Sequence, residues 1–283
     1  MLDERCVIEI KKECSRIKTE LGIKEDIIGE KIFEYLRKKS KIVFFPLVEE
    51  PNLDGFHTKR VVNGELVEFI FINTSKNIEK CIFCAAHELG HLFQIEKTVK
   101  ENCNDINLSQ EVIDEIMNRF AAELLMPSQL FSSELNNKLK EKNDWNTEKR
   151  ISIYNLLEII VYLMDKFYVP YKAIIYRMEE IGFFTSAAID VFENIKPEII
   201  NSFIYKGKYV RLHNPYNIKS FEDLPDLLKK ADIEGCINLS LSDYIKKEFG
   251  ISDVASDEDI TKETIRILDE DKINDAFNSN RGE

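Results

Sequence analysis

The sequence lacks the features that mark a membrane or secreted protein. It has no apolar run of the roughly 20 residues that a membrane helix requires, and its most apolar stretch, 156–164, contains Glu158. Its first residues are acidic, whereas a secretory signal starts with basic residues and an apolar segment. Six cysteines in 283 residues are too few for a dense disulfide pattern. We therefore expect a soluble cytoplasmic protein with reduced thiols and no membrane contact.

Basic residues are also scarce. Lys and Arg total 39 against 51 Asp and Glu, which gives a formal net charge of −12. A protein that coats nucleic-acid phosphates needs a net basic surface, so this class is excluded and direct DNA binding is disfavoured. The acidic excess is greatest in residues 251–283, which hold ten acids and four bases. This end is either a solvated surface or a docking surface for a basic partner.

What the sequence does contain predicts an α+β fold. Segments with helical periodicity are 3–39 (with a break at Gly22), 78–96, 110–126, a short helix from 128, 150–167 and 170–182. Segments rich in β-branched and aromatic residues, and so predicted strands, are 41–45, 55–62, 65–74 and 208–212. Asn63-Gly64 is the preferred pair for a two-residue hairpin turn between the second and third strands. A polar connection is predicted over 97–108, and an amphipathic segment over 261–277.

The most informative motif is His-Glu-Leu-Gly-His at 87–91, inside a predicted helix. Residues four apart lie on one face of a helix, so His87 and His91 can ligate the same Zn²⁺. Glu88 lies next to that face and can reach a water molecule without ligating the metal, which is where a general base is needed. The motif therefore predicts a zinc-dependent hydrolase.

A catalytic zinc site needs a third protein ligand and an open position for water. The next predicted helix offers Glu111, Asp114 and Glu115, while Glu123 lies on the opposite face from Asp114. Cys84, within a Cys-x-x-Cys sequence, is a further candidate, although four ligands along one helix cannot converge on one tetrahedral centre. The residues themselves leave the third ligand open.

Two stretches together resemble the ImmA/IrrE family of metallo-endopeptidases. They are His-Glu-Leu-Gly-His at 87–91 and Asn-Arg-Phe-Ala-Ala-Glu-Leu-Leu-Met-Pro at 118–127. The resemblance covers roughly residues 25–182. It places a metal-binding Glu four residues before Asn118, where this sequence has Asp114, and so implies Asp114 as the third zinc ligand. Asn118 is expected to support a ligand histidine by hydrogen bonding.

The resemblance implies a zincin-like core in which a small sheet packs on the metal-binding helix and the helices that follow it. We expect three parts: a peptidase core over 1–149, a helix-turn-helix-like pair over 150–185 that resembles the segment after the family's core, and a mostly helical C-terminal region of unknown role with an acidic tail over 186–283, which the resemblance does not cover. The implied function is cleavage of a helix-turn-helix transcriptional repressor, which derepresses mobile-element or stress genes.

The predicted mechanism assigns named groups to each task. Glu88 takes a proton from water activated by zinc and passes it to the leaving amine. Strand 66–74 is expected to offer an edge along which the substrate lies extended. Candidates for stabilising the oxyanion are His57, Arg119 or a tyrosine.

Three other readings stay open at this point. The protein could regulate by binding DNA or a repressor without cleavage, it could use zinc only structurally, or it could belong to a toxin–antitoxin pair. Substitution of Glu88 by Gln separates the first from a peptidase, because a function independent of cleavage would survive it.

Overall fold

The computed structural model describes residues 2–62, 64–103, 107–142, 145, 150–212 and 214–251. The chain divides into two compact units, one ending at Glu222 and the other beginning at Asp223. The predicted α+β fold class is confirmed. No helix within these ranges is long and apolar enough to cross a membrane. The predicted division at residues 149 and 185 stays a prediction.

The helices of the first unit begin and end largely where local signals place them. In chain order they are α1 (Glu4–Leu21), α2 (Ile32–Arg37), α3 (Ile78–Leu92), α4 (Ile95–Asn102), α5 (Gln110–Leu125), α6 (Ser128–Lys140), α7 (Ile153–Phe167), α8 (Tyr171–Glu180), α9 (Ser186–Glu193) and α10 (Pro197–Lys206). Ser109 caps α5 by accepting from the Val112 amide. Gly22 ends α1 with φ of 70°, a conformation that glycine adopts without strain.

The sheet has three strands, β1 (Lys41–Phe45), β2 (Gly55–Val62) and β3 (Glu65–Asn73), in the order β1-β3-β2. The predicted hairpin of β2 and β3 is confirmed; Asn63 of its turn lies outside the described residues. The prediction that 66–74 offers a free edge is wrong. β3 is the central strand, because β1 pairs parallel to its other side, and β2 lies at the edge.

The core of the first unit lies where α3 packs between the sheet and α5. Ile70 of β3, Ile82 and Leu89 of α3, and Phe120 of α5 are all fully buried. Each such side chain contributes about 1.5–3 kcal/mol when it leaves water. Gly90 faces the Phe120 ring, and a Cβ there would come within 3.1 Å of that ring. Its missing side chain lets α3 and α5 approach closely.

α8 is fastened to the end of α5 by a buried arginine. Arg177 is only 2% exposed. Its guanidinium donates to the Met126 carbonyl, to the Glu123 and Glu180 carboxylates and to the Ser128 hydroxyl. Each of the three nitrogens of the group thus has at least one acceptor, which is the condition for burying a charge at this depth.

Two predicted boundaries differ from the structure. The helix predicted over 78–96 ends at Leu92, because Gln94 adopts a left-handed conformation with φ of 54°. A new helix, α4, then covers the first half of the stretch 97–108 that was predicted as a polar connection. Ile95 and Val99 are its buried residues, so tertiary packing rather than composition explains this helix.

The strand predicted over 208–212 is wrong. Lys208 has a positive φ of 59°, and Val210–Leu212 forms a 3-10 turn. The backbone amides there bond to carbonyls close in sequence, as from Leu212 to Tyr209, so no strand partner is needed. The segment predicted as amphipathic over 261–277 lies outside the described residues.

The chain after α10 comes back to the sheet. We call residues 210–222 the return segment. Phe44 of β1 exchanges two backbone hydrogen bonds with Ser220, at 2.8 and 3.0 Å. The Asn217 amide donates to the Thr74 carbonyl at 2.7 Å. The return segment therefore covers part of the outer edge of β1.

The second unit contains α11 (Leu224–Ile233) and α12 (Leu239–Phe249), which pack against each other. The Ser242 hydroxyl donates to the Asp232 carboxylate across this pair at 2.9 Å.

Candidate metal centre

Helices α3 and α5 bring three candidate metal ligands together. His87 and His91 lie one turn apart on α3, and Asp114 lies on the facing side of α5. One nitrogen from each histidine and one oxygen of Asp114 all lie within 4.8 Å of one another. The close packing of α3 on α5 therefore brings Asp114 to two histidines that precede it by 23 and 27 positions in sequence.

The other sequence-based candidates for a third ligand lie elsewhere. Glu115 accepts a hydrogen bond from the Leu2 amide at 3.0 Å, and Glu111 is held by Ser109 at the start of α5. Cys84 packs against Gly55 of β2, where a Cβ would come within 2.5 Å of its sulfur. Within the described residues, none of these three candidates joins the cluster of His87, His91 and Asp114.

Two neighbouring amides orient the ligands. The Asn118 carbonyl oxygen lies 2.9 Å from Nδ1 of His87. When this nitrogen carries the proton, Nε2 of His87 presents its lone pair to the cluster. Gln110 donates from Nε2 to Oδ1 of Asp114 at 2.9 Å. Sequence reasoning missed Gln110, although its position four residues before Asp114 on one helix was the available signal.

The electrostatics of the cluster favour neutral histidines beside a protonatable glutamate. Burial lowers the pKa of His87, and burial together with His87 lowers the pKa of His91 to about 4. Both imidazoles are then neutral near pH 7, as metal ligation requires. Glu88 is 6% exposed, and burial, followed by the charge of Asp114, raises its pKa to about 7. A carboxyl of this pKa can both accept and release a proton at neutral pH.

The geometry fits a tetrahedral metal ion. Nε2 of His87 and Nε2 of His91 are 3.2 Å apart. Two nitrogens bound to one tetrahedral Zn²⁺ at 2.0–2.1 Å would be separated by about 3.3 Å. Two imidazoles and one carboxylate are also a ligand set of catalytic zinc, which leaves a fourth position open.

Two clefts meet at this cluster. The first, of about 820 Å³, extends along the N-terminal half of α3 to α10; the second, of about 1080 Å³, passes the start of α5 to α8. Residues that line both clefts are Phe83, Asp114, Asn118, Pro170 and Lys172. The two clefts therefore adjoin at Asp114 and Asn118, beside the cluster.

The candidates for stabilising an oxyanion each have another partner. Nε2 of His57 lies 2.5 Å from the Glu68 carboxylate. Arg119 lies 3.4 Å from Glu180, and the Tyr171 hydroxyl donates to a backbone carbonyl at 3.0 Å. The oxyanion role of these residues stays a prediction.

Residues 37–179 match the model of a peptidase family that is described as the IrrE N-terminal-like domain. The match covers half of the chain and includes the whole three-residue cluster. The chain belongs to the ImmA/IrrE family. This establishes a metallopeptidase domain and, with the three-stranded sheet and packed helices, the zincin-like fold that the sequence predicts.

The ImmA/IrrE match runs from just before β1 to the last turn of α8. α1, α9 and α10 lie outside it, although α10 lines the first cleft. No curated protein matches the chain.

Proposed function

We propose that this ImmA/IrrE family member is a zinc-dependent endopeptidase that cleaves a helix-turn-helix transcriptional repressor and thereby derepresses mobile-element or stress genes. One observation carries the chemical part. The ligand atoms of His87, His91 and Asp114 converge within 4.8 Å, with the buried Glu88 beside them and two clefts that adjoin at Asp114. Family membership supports the choice of a repressor as substrate.

Zn²⁺ held by His87, His91 and Asp114 would supply a Lewis acid that polarises the scissile carbonyl and lowers the pKa of water. Glu88 accepts the proton of the attacking water and delivers it to the leaving amine. Its raised pKa, near 7, matches a group that must do both at neutral pH. Asn118 keeps the His87 ring in the orientation and protonation state that ligation needs.

An extended substrate is supported by the sheet as well as by the clefts. β2 lies at the edge of the sheet, and its first residue, Gly55, lines the first cleft beside Asp54. A peptide that adds to this edge would gain main-chain hydrogen bonds, with side chains providing the specificity. The edge of β2 thus takes the role that the sequence suggested for β3.

A protein partner is favoured over DNA by the state of the helix-turn-helix-like pair, α7 and α8. Arg177, one of its few basic residues, is buried, and Lys166 lies 3.7 Å from Glu134 of α6. Lys172 faces Glu193 at 3.6 Å. The pair therefore presents little uncompensated positive charge to a phosphate backbone.

The proposal predicts that a neighbouring gene encodes a small helix-turn-helix protein, and that protein is the test substrate. Co-incubation with the zinc-loaded full chain should yield one discrete fragment, which chelator abolishes. Glu88→Gln should slow cleavage by about 10²–10⁴-fold, since it removes the general base. A repressor that stays intact with the zinc-loaded wild type refutes the proposal. Derepression in cells that survives Glu88→Gln would show a regulator that does not act by cleavage.

A further inference from the structure

The walls of the two clefts are acidic beyond the metal centre. Leaving out Glu88 and Asp114, seven carboxylate side chains and three basic side chains line the clefts in the described part of the chain. Most of these acids have an ion-pair or hydrogen-bond partner. Asp54 lies 3.3 Å from Lys76, and Glu180 pairs with the buried Arg177. Charge alone therefore identifies no binding site.

Glu79 differs from the other acids of the clefts. It is 4% exposed, and its Oε2 is fully buried without a hydrogen-bond partner among the described residues. It lies in the first turn of α3 and lines the first cleft. A buried carboxylate oxygen without a donor is costly, and native proteins seldom keep one unless a ligand or another function compensates it.

The surroundings of Glu79 compensate its charge only in part. Burial raises the pKa of the carboxyl; its own backbone amide and the Asn77 side chain oppose that shift, and Lys80 and Arg211 act only as more distant charges. The start of a helix also favours a negative charge, by about 0.3–1 kcal/mol. These contacts leave Oε2 without a donor among the described residues.

The distance from Glu79 to the metal centre suits a peptide side chain. Glu79 precedes His87 by eight residues on one helix, which is about 12 Å along the axis. An extended peptide covers about 3.3 Å per residue, so this span corresponds to three or four residues. A long basic side chain that covers part of this span shortens the backbone distance that is needed by up to one residue, which leaves two to four residues.

We infer that Glu79 is a specificity-determining residue that binds a lysine or arginine side chain of the substrate, two to four residues from the scissile bond. This inference rests on the proposed peptidase function and names the class of peptide that it accepts. The acidic walls of the clefts would concentrate basic segments, and Glu79 would select one side chain among them.

Peptide binding tests the inference without turnover. The probe is a fluorescein-labelled, Ala/Gly-based octapeptide with one arginine, and its twin carries citrulline, which has the same shape without the charge. With the zinc-loaded Glu88→Gln protein, fluorescence anisotropy should show about tenfold tighter binding of the arginine peptide, the size expected for a charged hydrogen bond. Adding Glu79→Gln should remove this preference.

Glu96 provides a matched control. It occupies the first turn of α4, as Glu79 does in α3, and its Oε2 is also buried without a partner among the described residues, but it lines neither cleft. Glu96→Gln should keep the preference for arginine. Equal binding of both peptides, no measurable binding of either, or a preference that survives Glu79→Gln would overturn the inference. Glu79→Asp serves as a second variant if Glu79→Gln fails to fold. It keeps the charge but holds the carboxylate one methylene closer to the backbone.

Cleavage mapping separates this inference from the proposed function. The zinc-loaded wild type acts on a mixture of peptides, and mass spectrometry locates the cut bonds. Lys or Arg should be enriched at one position within four residues of the cut, in wild type and Glu96→Gln but not in Glu79→Gln. Zinc-dependent cutting without enrichment refutes the role of Glu79 and leaves the peptidase. A binding preference without any cutting refutes the peptidase and leaves the site.

Discussion

Replacing Arg177 by Met should destabilise the first unit by about 3–5 kcal/mol, the usual cost of removing one partner of a buried ion pair. Met fills a similar volume but donates nothing. The Met126 carbonyl would lose donors at 3.0 and 2.6 Å, and the Glu123 carboxylate, whose side chain is 15% exposed, would lose its partner at 2.5 Å. The remaining unpaired charge of Glu123 dominates the cost.

This cost should depend on pH. In the wild type, burial opposes ionisation of Glu123, but Arg177 and Ser128 together hold its pKa below the ordinary 4.5. The stability that the pair contributes is thus present above pH 4.5 and is lost as pH falls through the lowered value. In Arg177→Met, the arginine no longer opposes the effect of burial, which raises the pKa of Glu123. Acid then protonates Glu123 and removes its buried charge. The difference between the two proteins should therefore shrink from pH 7 to pH 4.

Urea unfolding followed by circular dichroism, with chelator present, measures both effects. Lys172→Met is the matched control, because Lys172 lies on the same helix but is exposed. Its ion pair with Glu193 is long, at 3.6 Å. It should change stability by no more than about 0.5 kcal/mol. A cost below 1 kcal/mol for Arg177→Met at pH 7, or one that does not vary with pH, would refute the argument.

Three further predictions concern the metal centre and the wall beside it. Asn118→Leu should weaken zinc binding by about 10–100-fold while Asn118→Asp retains more of it, measured against a competing chelator; equal affinities would contradict the orienting role. Asp114→Ala should lose most of the rise in melting temperature with zinc, which at a hundred times Kd corresponds to about 2.7 kcal/mol for the wild type; an unchanged rise would exclude Asp114 as a ligand. Gly55→Ala should cost about 1–3 kcal/mol in urea unfolding, because its Cβ would come within 2.5 Å of the Phe71 carbonyl and of the Cys84 sulfur. Cys84→Ala should rescue only part of that loss, since the carbonyl remains; full rescue would show that the backbone contact costs nothing.

The parts of the fold that depend on local periodicity were predictable. Four-residue spacing alone places His87 and His91 on one face of a helix, and the Asn-Gly pair alone indicates the hairpin of β2 and β3. The ends of α7 and α8 fall within three residues of their predicted positions for the same reason.

The parts that depend on contacts distant in sequence were not predictable. Nothing in residues 41–45 shows that β1 pairs parallel to β3. This pairing covers the edge of β3 that was assigned to the substrate from sequence. The buried, unpartnered oxygen of Glu79 arises from packing around the start of α3, and its sequence context is that of an ordinary acidic first turn. Helix α4 likewise forms because Ile95 and Val99 are buried in the hydrophobic core.

The return segment has a practical consequence for cutting this protein into pieces. The family match ends at residue 179, which invites a fragment that stops there. Such a fragment would lack α10, and with it one side of the first cleft, and would leave the amide and carbonyl of Phe44 without Ser220. An exposed strand edge recruits other chains and promotes aggregation. The shortest sensible expression boundary is therefore Glu222, more than forty residues beyond the end of the recognisable homology.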